Sequence, residues 1–146
     1  MSANQDRTRL ELLRRRDYPT SGSGVVKMGD MVIADGSGNA TKATGTDDAV
    51  ADTFLGVSIH AKATDKTPTL AVGVDCVAEM DLASGLSAAA LVGDAVEYDS
   101  ANSDAQTVKL GSTNPIGKVY RAAAAGETTL MVHFIGIDVR SPVVAD

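Results

Sequence analysis

The feature that most limits what this chain can become is an internal repeat. Lys27-Met28-Gly29-Asp30-Met31-Val32-Ile33-Ala34-Asp35 lines up with Leu91-Val92-Gly93-Asp94-Ala95-Val96-Glu97-Tyr98-Asp99, with one Gly, one Val and both Asp residues coinciding at a constant separation of 64. Leu55-Gly56 then matches Ile116-Gly117, and Ala61, Ala63 and Thr67 match Ala122, Ala124 and Thr128, all at a separation of 61. After one extra residue near Pro68, Thr69, Leu70 and Val72 match Thr129, Leu130 and Val132. The separation changes only in loop-like stretches, which absorb a residue without disturbing the strands they join. Two copies of one plan cover about residues 25–80 and 89–139. Each is a Gly-Asp turn, a strand, a polar loop, a strand containing Gly, a loop and a long alternating strand.

The local chemistry suits that plan. Gly29-Asp30 and Gly93-Asp94 fit tight turns before an outgoing strand, because Gly accepts positive φ and Asp bonds nearby backbone amides. Gly56 and Gly117 hold corresponding places in the next strand. The clearest strand is residues 69–80, where Leu70, Val72, Val74, Cys76, Ala78 and Met80 share one face at period two. Shorter strands are expected at 31–34, 55–61, 95–98, 107–110, 116–122 and 129–139, with turn-rich pieces such as 35–39 and 99–104 between them. Residues 87–92 are the one helix expected in the body. Two β units of this size cannot each bury a core alone, so the repeat predicts an all-β fold, a small β-barrel or β-sandwich with at most one short helix. The 146 residues suit a single domain, residues 25–146, preceded by an arm, residues 1–24.

The arm differs in kind from the body. Residues 1–16 carry a net charge of +3 and the remaining residues −9, against −6 for the whole chain. Arg7, Arg9, Leu10, Leu12, Leu13, Arg14, Arg15, Arg16 and Tyr18 precede the small, pliable Ser21-Gly22-Ser23-Gly24. Those leucines make no clean helical stripe; a turn or two of helix and an extended strip that orders on a partner are both open. A basic peptide with interspersed Leu and a Tyr is suited to docking on an acidic protein groove, which makes these nine residues the candidate contacts. An acidic body without a basic, aromatic-laced patch argues against nucleic-acid binding.

Other chemistry is limited by supply. With two His and one Cys, no Cys₂His₂ or Cys₄ zinc site and no internal disulfide can form. Gly111-Ser112-Thr113-Asn114-Pro115-Ile116-Gly117-Lys118 matches the spacing of a phosphate loop. Val119 stands where a magnesium-binding Ser or Thr is needed, however, and a β-like run follows in place of a helix, so the segment reads as a loop leading into a strand. Asp35, Asp47, Asp48 and Asp52 lack calcium-loop spacing and read as polar turn and loop residues. His60 is expected on the surface, His133 packed among strand neighbours and Cys76 in the core. No catalytic residue, metal or cofactor is expected. The charged start lacks a signal peptide's apolar run and no segment has 18 consecutive apolar residues, so synthesis in a cytoplasm and no membrane contact are expected.

The succession Gly-Asp-x-Val, Gly/Asn-rich turn, Leu/Ile-Gly strand, Ala/Gly loop and Leu-x-Val over about residues 25–138 resembles the small head-decoration proteins of tailed bacteriophages. These are often grouped as a domain of unknown function, with some members labelled recombinase-like. The resemblance implies a β subunit, commonly a homotrimer, that sits on the capsid exterior, binds the major capsid protein and reinforces contacts between coat subunits. The Arg-rich arm matches no motif of that family; its role as the capsid-contacting element is read from its charge. Two other readings compete. A tail or fibre module for host carbohydrate would need exposed aromatics, of which this chain has no Trp and three Tyr. A trimeric enzyme of the dUTPase type would need Gly-Ser-rich nucleotide motifs that are missing.

Overall fold

The computed structural model describes residues 10–20, 26–60, 69–101 and 106–137. Arg7, Arg9, the segment 21–24, the repeat residues Ala61, Ala63 and Thr67, and the turn and strand-end positions 102–104 and 138–139 lie outside them. Nine strands form one open, curled sheet: β1 (Leu10–Pro19), β2 (Met31–Ala34), β3 (Ala40–Lys42), β4 (Phe54–Ser58), β5 (Thr69–Asp81), β6 (Ala95–Tyr98), β7 (Val108–Leu110), β8 (Pro115–Val119) and β9 (Thr129–Ile135). The order β3-β2-β4-β5-β9-β8-β6-β7 reads as the same four-strand unit written twice around the β5–β9 pair. All-β architecture from two repeated units is what the chain adopts.

The repeat extends to single bonds. Met31 and Val32 pair with Val57 and Gly56, as Ala95 and Val96 pair with Lys118 and Gly117, and a register shift follows in both ladders. Gly29 and Gly93 both have φ 94°, and each donates its N–H to the end of its unit's Gly-containing strand, Ser58 O at 2.8 Å and Val119 O at 2.9 Å. Asp30 Oδ2 accepts from Lys27 N, and Asp94 Oδ2 from Leu91 N, both at 2.9 Å. At Gly56 an added Cβ would run into the carbonyl of Gly73, and at Gly117 it would lie 2.7 Å from the carbonyl of His133. Both glycines are required by close approach of the neighbouring strand.

β1 occupies one edge of β5 from Thr69 to Ala78, so β4, at Val72 and Gly73, and β9, from Asp75 onward, share the other edge in succession. Gly136 abuts Leu55 where they meet. The pairing Pro19↔Thr69, Tyr18↔Leu70, Asp17↔Ala71 has the register of Asp81↔Thr129, Met80↔Leu130, Glu79↔Met131. In addition, Thr20 bridges Ala40 in parallel, as Leu82 bridges Val108. β1 thus does for the first unit what the second half of β5 does for the second: it carries the curl back toward its far edge.

Apolar side chains fill two clusters. The larger includes Phe54, Val57, Cys76, Met80, Tyr98, Ile116, Val132 and Phe134, with the Phe54 and Phe134 rings 5.6 Å apart. The smaller has Val32, Leu55, Leu70, Val72 and Val74, against which Tyr18 and Ile137 pack. Neighbours Met31 and Val32, and Phe54 and Leu55, go to different clusters, so the first unit's sheet is apolar on both faces. Gln106 ties the units together: its Oε1 accepts from Met31 N and its Nε2 donates to Ala43 O, both at 2.8 Å, with Tyr98 Oη donating to the same carbonyl at 3.2 Å.

The helix is not at residues 87–92, which hold bends and an isolated bridge. It is α1 (Asp47–Thr53), in the stretch read from sequence as a loop. Thr46 caps it, Oγ1 accepting from Ala49 N at 3.4 Å, Asp47 and Asp48 lie at its positive end, and Val50 anchors it in the core. Residues 87–92 have no such cap, and Ala90 instead exchanges two backbone hydrogen bonds with Ala123. The strands at 55–61 and 116–122 are shorter than expected, ending at Ser58 and Val119 where the Gly-Asp turns take their bonds.

Candidate interaction surface

The arm is extended, and its strand is unusual in what it buries. In a strand, successive side chains point to opposite faces, so a structural strand hides at least alternate residues. In β1 every residue from Glu11 to Asp17 is exposed; Leu12 and Leu13, at a shift in the register, are 42% and 57% exposed. Arg14, Arg15 and Arg16 are all on the surface, and among the β1 residues whose burial is described Tyr18 is the one drawn into an apolar cluster. Leu10 belongs to the same strand, pairing with Ala78. The Arg15 Nε–Asp17 Oδ1 pair, 3.1 Å apart and half-exposed on both sides, contributes little in water. The strand is held chiefly by its main-chain ladder to β5, leaving a basic, Leu-bearing ribbon displayed to solvent.

Next to this ribbon lies a pair that sequence reasoning missed. Asp75, the register partner of Arg14, accepts a 2.7 Å hydrogen bond from His133 Nε2. His133 is therefore a partly exposed polar group and not a packed one, its side chain 34% exposed. The partners are 58 residues apart, so only the β5–β9 register brings them together. The signal available was the alternation in both long strands of the repeat, which makes them natural antiparallel partners. Lys118, paired with His133 across β8 and β9, adds a cation. Cys76, one residue along, faces the core and leaves this pair without a thiol; burial pushes its pKa up to about 12.

The remaining motifs are occupied by structure. The Gly111 loop wraps a carboxylate: Thr113 N donates to Glu97 Oε2 at 2.8 Å, and Gly111 lies so close to the Glu97 head that a Cβ would collide with it. A buried acid where a phosphate would sit repels phosphate. Asp35 accepts from Ser37 N and Asn39 N, and Asp48 from Thr46 Oγ1. Asp47 binds Lys109 Nζ at 2.6 Å and Ser100 N at 2.9 Å. Burial raises the Asp47 pKa, but the bonds from Lys109 and Ser100 outweigh it and hold the group below its ordinary value. Among the described residues no three His, Cys, Asp or Glu side chains are grouped to hold a metal ion, and no helix is long and apolar enough to cross a membrane. His60 is exposed.

In comparison with known proteins, no family model matches the chain, and no curated protein matches it.

Proposed function

We propose that this chain is a structural virion protein that binds the outer surface of a tailed-phage capsid, with the major capsid protein as partner, and stabilises contacts between coat subunits without catalysis. It acts as a homotrimer on particles assembled in the host cytoplasm. The observation that carries the reading is β1: ten residues with three consecutive exposed Arg and two exposed Leu, spread along a body that is otherwise acidic. Such a ribbon gives a partner both charge attraction and apolar area, and several copies on one particle multiply a modest contact through avidity. Carbohydrate recognition has less support. Phe54, Phe134 and Tyr98 are fully buried and Tyr18 packs inward, leaving Tyr120 as the exposed ring.

The test is binding of the full chain to purified heads. Exchanging Arg14, Arg15 and Arg16 for Glu alters only exposed side chains, and should weaken occupancy at least about tenfold while circular dichroism is unchanged. Equal occupancy by the folded variant overturns the role of the arm, and no binding of the native chain to any head, alongside a positive glycan array, favours the sugar-binding reading.

A further inference from the structure

β9 alternates along its whole length: Leu130, Val132 and Phe134 are buried, whereas Met131, His133 and Ile135 on the opposite face are only half-buried. Ile135 is thus an apolar side chain on the face that keeps contact with solvent. With Pro115, Ile116, Gly117, Lys118 and His133 it lines a hollow of about 330 Å³ over the β8–β9 pair. An apolar cavity of about 150 Å³ already holds a benzene ring, so this one has room for a side chain of Leu or Phe size. The polar side chains at the hollow are Lys118, which is exposed, and His133, whose Nε2 is bonded to Asp75. No carboxylate is among the residues lining it.

The register ties this hollow to the arm. Asp75 pairs with Arg14 across β1 and β5 and with Ile135 across β5 and β9, so the three form one row, and register partners share a face of the sheet. Arg14 therefore stands two strand spacings from Ile135, about 10 Å, a span that about three extended residues cross. An exposed cation lies on each side of the hollow, Arg14 on β1 and Lys118 on β8, in a body of net −9. The carboxylates near them are engaged: Asp75 by His133, and Glu79, further along the same face of β5, by a 3.2 Å bond from Thr129 Oγ1. We infer that this face of β5, β9 and β8 is a second contact for the coat-protein segment that meets the arm. An apolar side chain of that segment fills the hollow, and acidic residues on either side of it meet Arg14 and Lys118. Charge complementarity selects this occupant, because a basic segment is repelled at both ends of the row. Continuity selects it too: a segment already held at Arg14 reaches the hollow without a new encounter. The inference rests on the capsid role proposed above and names the partner's chemistry, an extended segment of acidic–apolar–acidic pattern.

Occupancy of purified heads by the full chain tests it. Lys118→Glu changes one exposed side chain and should lower occupancy about tenfold with circular dichroism unchanged. Lys27→Glu makes the same change of charge at an exposed position in the first Gly-Asp turn, and should leave occupancy within about twofold of native. Ile135→Glu sets a carboxylate in the hollow itself and should lower occupancy at least as far as Lys118→Glu; if that variant fails to fold, Lys118→Glu decides alone. Native occupancy by either folded variant, or an equal loss in Lys27→Glu, overturns this surface and leaves the role of the arm standing. A native chain that binds no head overturns both.

Discussion

Gly56 and Gly117 occupy matching places, yet substitution should affect them unequally. Both face a carbonyl of the adjacent long strand, that of Gly73 and of His133, but Gly56 also has φ 149°, outside the range L side chains readily adopt. Alanine at Gly117 requires β8 and β9 to move apart by a few tenths of an ångström, and should cost about 1–3 kcal/mol. Alanine at Gly56 adds backbone strain to a deeper overlap, and should cost about 3 kcal/mol or more. By contrast Gly38, at φ 91° with open space around it, should lose only about 1 kcal/mol on the same change. Urea unfolding of the three variants measures the order; equal midpoints for Gly56→Ala and Gly38→Ala would show that the contact with Gly73 is easily relieved.

α1 shows how an element of seven residues is fixed by its ends. Its cap, its acidic first turn and the Lys109–Asp47 bond to β7 hold it, with Val50 as its buried anchor. Because the folded state keeps Asp47 ionised more readily than the ordinary pKa of 3.8 would, the unfolded chain binds more protons as pH falls through that range. Its stabilisation is then present above about pH 4 and lost below. Asp47→Asn should cost about 0.5–1 kcal/mol at pH 7, a modest figure because Lys109 is partly in water, and the difference from the native chain should fade as pH drops below the carboxylate range. A gap constant from pH 7 to 3 would mean the loss is one of packing. The Thr46-Asp47-Asp48 start carries the residues of a cap, but a helix this short has no periodicity, so the stretch read as a loop, and Ser87-Ala88-Ala89 has helical composition without a cap. Long strands were legible through alternation; β3, three residues long, shows none.

At the scale of the whole molecule, the repeat found in the sequence stops short of the repeat in the structure. β1 closes the first unit in the register with which β5 closes the second, but Arg15 and Arg16 stand where β5 has Val77 and Ala78, and Asp17 in the place of Glu79 is the one chemical likeness. Side-chain patterns reveal strands that bury something, and a strand held by its main chain leaves no such trace. The exposure of the arm was legible for the same reason in reverse: three Arg and two Leu with no core to enter stay at the surface. This asymmetry makes the first unit the weaker. Removing residues 1–20 strips the edge of β5 from Thr69 to Ala78 and takes Tyr18 from the smaller cluster, while the β5–β9–β8–β6–β7 unit keeps every strand. Amide exchange should accelerate roughly 10- to 100-fold in β2, β3, β4 and the first half of β5, with β6, β8 and β9 little changed. The bared edge should also promote association that grows with concentration. Uniform acceleration across both units would instead mean that the Gln106 bonds and the shared core make them one cooperative body, in which β1 supports the other eight strands alike.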